Sequence, residues 1–382
     1  MARKRKYKTK KLQKLLEEGI PVEKQRPWSD LPTDLLKLIE TNLTLEDSIR
    51  FSYVCKNWNS LDRSHRVINQ TPILLFHPIN DDAICEFFDP SQRKSYFHQV
   101  PELLNAVIYS SKDDWLLVSN NILGIYLLNP FTNSKIDLPY FDPEQFQELE
   151  VTLSCAPTSP AFMVFAIRDT YPDTLPGVTI NIWHFGDSQW TTINHFYQDE
   201  LLQFAVYGLT PFFCNGLFYC LNTHNFNMIG VFDPKEYTWS ILPVPPPMPI
   251  RFTDLNYMWR AVFMAEFKGE LLFVHMLYPR NPNIFKLDLY ENRWVEIRSL
   301  EGETLFVSEA CSLLESEIPR ISRNNVYLPR IHRYGNRCYS YSLEDSRYYP
   351  IRYWPNWTRF EDFDVVWIRS PKMTQPLIEE HD

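Results

Sequence analysis

One pattern recurs six times along this chain and limits what it can fold into more than any other feature. In residues 84–99, 125–138, 180–193, 229–242, 284–297 and 338–351, alternating apolar residues enter a turn of Asp, Asn, Pro, Gly or Glu, then resume on an aromatic or aliphatic residue. The stretches CEFFDPSQRKSYF, IGVFDPKEYTW and IFKLDLYENRW are three examples. Alternation with a period of two on both sides of a turn is the signature of a β-hairpin. Aligned on Asp89, Asn129, Gly186, Asp233, Asp288 and Leu343, the units are 40, 57, 47, 55 and 55 residues apart. Hairpin units repeated at such a period predict a radial β architecture, here a β-propeller of six blades.

Each patterned hairpin follows a further strand-like run, at 114–118, 161–165, 216–219, 269–273 and 325–328, with 73–76 preceding the first. The unit therefore has at least three strands, and four are expected. A last strand, 363–368, follows the sixth repeat. Pairing it with the first blade would close the ring and remove an open sheet edge.

Composition excludes several alternatives. Ten Gly against 29 Pro argue against a dinucleotide fold, which needs Gly-rich phosphate loops, and suit an all-β protein with many loops and protected edges. Net charge is −9, yet Arg3, Lys4, Arg5, Lys6, Lys8, Lys10, Lys11 and Lys14 crowd one end. The remainder is distinctly acidic, which disfavours a globular nucleic-acid binder. Seven scattered Cys, no signal peptide and no C-x-x-C pair read as a reduced chain of the nucleus and/or cytoplasm. No apolar run approaches the roughly 20 residues of a membrane helix.

The other distinctive segment is helical. Residues 1–27 form a basic tail with a short helix around Leu12, Leu15 and Leu16, stopped by Gly19 and Pro21; its Arg-Lys-Arg-Lys run is either a nuclear import signal or a solvated tail. Over 28–65, Pro32 suits the first position of a helix, and Leu35, Leu36 and Ile39 make one apolar face. Thr44 with Asp47 opens a second helix carrying Leu45, Ile49 and Val54, and a third runs from Cys55 to Leu61. Three short helices bury little by themselves, so this unit is expected to present apolar surface to a partner. A propeller over 70–370 and a tail over 371–382 complete the organisation.

The succession Trp28-Ser-Asp-Leu31-Pro32, Leu35-Leu36, Ile39, Leu45-Glu-Asp47 and Val54-Cys55-Lys56-Asn-Trp58 resembles an F-box. The whole chain is similar to plant F-box proteins with a C-terminal Kelch-like β-propeller, although it lacks the paired glycines of kelch repeats. The resemblance implies a non-catalytic subunit of an SCF-type ubiquitin ligase. Leu31, Pro32, Leu35, Leu36, Ile39, Leu45, Val54, Cys55 and Trp58 would meet a Skp-type adaptor and, through it, a cullin–RING ligase. The propeller would hold a protein substrate. From position alone, Leu31, Pro32 and Leu35 are assigned to the partner, and Leu36, Ile49 and Val54 to holding the helices together.

The remaining signals have plainer readings. Cys214, Cys220 and His224 lack a second ligand pair for zinc and read as strand residues, the two Cys as buried thiols. Asp89, Asn129 and Asp233 raise the idea of an acidic dyad across the axis, but their place before a turn argues for Asx-turn chemistry. Trp190, Trp239 and Trp294 recur at one repeat position and read as packing residues. The proline-rich run 243–249 reads as a stiff inter-blade loop. Insertions at 168–176, 251–260 and 278–282 are candidates for substrate contact, with Trp259 and Arg260 as hot-spot residue types. The alternative function is a ligand-sensing or enzymatic propeller with an ancillary F-box, against which stands the lack of any carboxylate pair, His cluster or phosphate loop. No cofactor is expected.

Overall fold

The structure is a computed structural model that describes residues 28–40, 51, 54–55, 58, 71–78, 83–170, 175–198, 204–247, 262–276, 281–316, 318, 321–329, 337–349 and 363–369. They fall into two compact units, one holding the described residues up to 58 and the other those from 71 onward. The basic tail, Thr44, Leu45, Asp47, Ile49, Trp259 and Arg260 lie outside the described residues. The same holds for most of the expected second and third helices.

The larger unit is a six-bladed β-propeller. The first blade takes β1 (Ile73–Pro78), β2 (Ile84–Asp89) and β3 (Lys94–Gln99) from the start of the unit. The second is β4 (Ala106–Lys112), β5 (Trp115–Asn120), β6 (Gly124–Asn129) and β7 (Ser134–Asp137). The third is β8 (Glu150–Leu153), β9 (Met163–Asp169), β10 (Gly177–His184) and β11 (Thr191–Phe196). The fourth is β12 (Phe212–Cys214), β13 (Leu217–Leu221), β14 (Met228–Asp233) and β15 (Thr238–Pro243). The fifth is β16 (Val262–Phe267), β17 (Glu270–His275), β18 (Asn283–Asp288) and β19 (Arg293–Ile297). The sixth holds β20 (Thr304–Ser308), β21 (Cys311–Glu315), β22 (Asn325–Pro329), β23 (Cys338–Ser342) and β24 (Arg347–Tyr349). The last strand, β25 (Phe363–Ile368), returns to the first blade and pairs antiparallel with β1 from Ile73↔Ile368 to Pro78↔Phe363.

All six sequence repeats are the outer hairpins of blades. Their turns share a local mechanism. Asp89 Oδ1 accepts the amides of Ser91 (2.8 Å) and Gln92 (3.2 Å). Asn129, Asp233 and Asp288 do the same two and three residues on. Four residues after each, Arg93, Asn133, Tyr237 and Asn292 take positive φ, between 47° and 58°. This is the Asx turn expected of these residues, and it places none of them at the axis as half of a dyad. In the sixth blade Ser342, not the neighbouring Leu343 on which the repeats align, supplies the acceptor for Asp345 N (3.3 Å), and Ser346 takes the positive φ. The third blade has a longer turn, with Ile182↔Thr191 its last pair.

Inner and middle strands are apolar on both faces because each blade lies between two others. Side chains alternate sides along a strand, so β9 sends Val164 and Ala166 into a core with the second blade and Phe165 and Ile167 into a core with the fourth. β17 divides in the same way, Leu271 and Phe273 from Leu272 and Val274. Outer strands bury less: Lys94–Gln99 is exposed or half-exposed at every position. Trp190, Trp239 and Trp294 pack against these inter-blade cores, as their recurrence implies. Gly230 is what lets Trp239 lie flat, since a Cβ at that position would stand 2.0 Å from its Cη2.

The sixth blade departs from the expected four strands. β20 turns back at 309–310 into β21, and β20 itself lies parallel to β22 through Leu305↔Val326 and Phe306↔Tyr327. The blade gains a fifth, innermost strand, which leaves every residue of β20 buried.

Closure is anchored by Trp367, which is fully buried against the ring of Phe306 at 4.9 Å. Its indole N–H donates to Val307 O at 3.0 Å. Asp364 Oδ2 accepts Ile108 N of the second blade at 2.8 Å. Arg369 donates to Asp113 Oδ1 at 2.7 Å and pairs with Glu315 of the sixth blade. Three blades therefore meet at one seam.

Trp367→Ala is expected to lower stability by about 3–5 kcal/mol, the usual cost of emptying a buried aromatic site, measured by denaturant unfolding. A loss below about 1 kcal/mol would show that closure does not depend on this side chain. Burial pushes the Asp364 carboxyl up to about 6. The unfolded aspartate titrates near 4, so the folded state holds this proton more tightly. The group's stabilising contribution is complete below about pH 4 and is lost as pH rises through 6. Asp364→Asn keeps an acceptor for Ile108 N and carries no charge. Its melting temperature is expected to exceed the wild type's at pH 8, with the gap closing by pH 5. A variant less stable than wild type at pH 8 would reverse the sign assigned to this group.

Candidate functional site

Two places carry surface that the packing of their own unit does not use. The first is the helical unit. A short 3-10 turn, Trp28–Asp30, leads through Leu31 and Pro32 into α1, Thr33–Glu40. Pro32 O accepts the amides of Leu35 (3.0 Å) and Leu36 (3.1 Å), so the helix begins where the proline fixes φ. Leu36 is fully buried with Phe51, and Leu31 and Trp58 pack around them. The rings of Phe51 and Trp58 lie 4.4 Å apart, and the Trp58 indole donates to Trp28 O at 3.2 Å.

Among the described residues of this unit, several large apolar side chains stay outside that cluster. Trp28 is 73%, Leu38 62%, Val54 55% and Leu35 47% exposed, and Ile39 and Pro32 are exposed with them. On α1, residues 35, 38 and 39 share a face by three- and four-residue spacing, while Leu36, one position from Leu35, turns inward. Position along the sequence had paired Val54 with the interior and Leu31 with the partner. The structure has Val54 outside and Leu31 half-buried on the Leu36 cluster. Cys55 and Trp58 are half-buried. Leu38 and Trp28 add to the exposed face, and the spacing of Leu38 from Leu35 was the available signal for the former.

The second place is the axis of the propeller. A cavity of about 340 Å³ is bounded by residues 108–112 of β4, the start of β8, the loop 207–211, residues 262–264 of β16 and the β20–β21 turn. That turn reaches across the channel: Ala310 O accepts Ser111 N at 3.4 Å, and Glu309 O accepts the Thr210 hydroxyl at 2.9 Å. Glu150 Oε1 accepts Gly208 N at 2.6 Å. Burial, with smaller contributions from Asp169 and Glu309, pushes the Glu150 carboxyl up to about 7. Burial and then Glu309 raise Asp364. The Tyr109 phenol is raised by burial, then by Asp364 and Glu150.

Acidic groups of the third, sixth and first blades thus gather around the axis, which the sequence reading did not find. No local pattern marks them, because Glu150, Glu309 and Asp364 come together only through ring closure. Among the described residues no group of His, Cys, Asp and Glu is arranged to hold a metal ion. Cys214 and Cys220 are buried free thiols, both raised by burial, Cys214 to about 11. Among the described residues no helix is long and apolar enough to cross a membrane. The three candidate insertions are flanked by β9 and β10, by β15 and β16, and by β17 and β18. Of these insertions, residues 171–174, 251–260 and 278–280 lie outside the described residues.

Residues 28–67 match the model of the F-box domain, and residues 87–348 match that of the KIB1-4 beta-propeller. An F-box/kelch-repeat protein of Arabidopsis thaliana is 35% identical over 354 residues, 92% of this chain and 97% of the relative. An F-box protein of the same plant is 31% identical over 352 residues, 91% of this chain and 90% of the relative. A second plant F-box/kelch-repeat protein is 34% identical over 312 residues, 78% of each chain. Exposed F-box face, six closed blades and near full-length relatives agree: this chain belongs to the F-box proteins that carry a KIB1-4 β-propeller.

Proposed function

We propose that this protein is the substrate-recognition subunit of an SCF-type ubiquitin ligase, with the F-box on a Skp-type adaptor and the propeller on a protein target. The observation that carries the reading is the exposed stripe of Pro32, Leu35, Leu38 and Ile39 beside an interior in which, among the described residues, only Leu36 and Phe51 are buried. A helix that shows this much apolar side chain to water gains by covering it, and the natural cover is another protein. Fully burying a leucine is worth about 1.5–3 kcal/mol, so two or three such residues supply a large share of a specific association.

In this reading the protein makes and breaks no bonds. It raises the effective concentration of a target lysine near the ubiquitin-carrying enzyme by holding both on one scaffold. Orientation and linkage do the work, which suits a rigid ring of blades offering loops at its ends.

The test separates surface from interior. Leu31 contributes to the Leu36 cluster, so Leu31→Ala reports on folding as well as binding. Leu35→Asp with Leu38→Asp changes exposed positions only. Co-purification of the full chain with a Skp adaptor is expected, and the double variant is expected to weaken it more than about 100-fold while the thermal unfolding curve stays in place. Retained adaptor binding by a folded double variant would remove this face from the interface. Failure of the folded wild type to bind any Skp adaptor would remove the ligase reading itself.

A further inference from the structure

We propose that the axial cavity of the propeller anchors a basic side chain, lysine or arginine, presented by the protein that the propeller captures. The inference deepens the substrate-receptor reading and rests on it.

The first ground is shape. At about 340 Å³ the cavity sits at the small end of the range for ligand sites. It suits one long side chain better than a folded element. Tyr109, Phe212, Val262 and Met264 line it and offer apolar contact to the methylene stem of such a residue. Tyr207, 75% exposed, is also part of the lining.

The second ground is charge complementarity. Glu150 and Glu309 line the cavity, and Asp364 lies close enough to Glu309 to be raised by it. Lys112 is the one Lys or Arg among the described lining residues. Across residues 69–372 the sequence holds 35 Asp and Glu against 23 Lys and Arg, so the field around the channel favours the approach of a cation. Glu150 spends one oxygen on Gly208 N and is held part-protonated near neutral pH by its surroundings. The groups facing it are Asp169, Glu309, Tyr109 and Cys220. A guanidinium or ammonium placed there reverses that balance and favours the carboxylate through a charge-assisted hydrogen bond. Binding is therefore accompanied by release of a proton. Since the described acidic groups are not arranged as a metal's ligand set, an organic cation is the better match.

The test uses the full chain purified with its Skp adaptor, so that complex formation is read in the same preparation. The ligands are a fluorescein-labelled heptapeptide with one central arginine between glycines and serines, its lysine and methionine counterparts, and free butylammonium. Saturable binding of the arginine or lysine peptide is expected at pH 7.5, with at least tenfold weaker binding of the methionine peptide and of butylammonium. Glu150→Gln, which keeps an acceptor for Gly208 N, is expected to weaken binding about tenfold, and Glu150→Gln with Asp364→Asn further still. Wild-type affinity should fall about tenfold between pH 7.5 and 5.5, and titration in buffers of different ionisation enthalpy should reveal proton release. Unaltered affinity in both folded variants overturns the proposal, as does equal binding of the methionine peptide. Butylammonium binding as tight as the peptides assigns the cavity to free amines and overturns the protein-side-chain source. Absence of peptide binding within an intact adaptor complex sinks this inference alone, whereas absence of the complex sinks the receptor reading beneath it.

Discussion

The pairing of β25 with β1 is the contact on which everything else in the propeller rests. It joins residues about 290 positions apart, so it carries the largest loop-closure cost in the fold and must be offset by strong local gains. Those gains are concentrated: six residue pairs, a fully buried Trp367 and the Arg369 links to Asp113 and Glu315. The reason the ring has to close lies in the blades. Strands such as Trp115–Asn120 and Met163–Asp169 are buried on both faces, so each blade needs two neighbours. An open array would leave the first and sixth blades with a bare apolar face and the sheet with a free edge.

Closure also creates the chemistry of the axis. Glu150, Glu309 and Asp364 belong to different blades, and none would feel the others in an open chain. Inside the ring, burial dominates the behaviour of Glu150 and Asp364, and mutual repulsion with Glu309 adds to it. The fold tolerates this because each half-buried carboxyl also accepts a backbone amide from the next blade, Gly208 N for Glu150 and Ile108 N for Asp364. The same groups thus serve as inter-blade ties and as the source of the cavity's charge. The fifth strand of the last blade belongs to the same economy of space: its turn at 309–310 reaches into the channel and forms one boundary of the cavity.

The helical unit works by the opposite logic. Among the described residues the propeller packs large apolar side chains into extended inter-blade cores, whereas the F-box buries Leu36 and Phe51 and leaves Trp28, Leu35, Leu38 and Val54 in water. A domain this small covers little of its own apolar surface, which fits the adaptor-binding role proposed for it. One part supplies rigidity and loops, the other a sticky helix face.

The hairpins were legible in the sequence because their causes are local. Alternation, the Asx acceptor at Asp89, Asn129, Asp233 and Asp288, and the positive φ four residues later involve contacts within a few residues, which any reader of the chain can see. Closure by 363–368 was legible for a related reason, since a final unpaired strand and a first blade short of one strand imply each other. The helix face was half legible. Spacing put Leu35 and Ile39 together, but which of Leu31, Leu36 and Val54 turned inward depended on where Phe51 and Trp58 sat in space. The parallel β20–β22 pairing, the extra strand β21 and the gathering of Glu150, Glu309 and Asp364 were decided only by tertiary structure. The parallel pairing and the acidic groups join residues that share no turn and no strand, and β21, although one tight turn from β20, takes an innermost place that no earlier repeat fills; only the geometry of a closed ring brings these groups together.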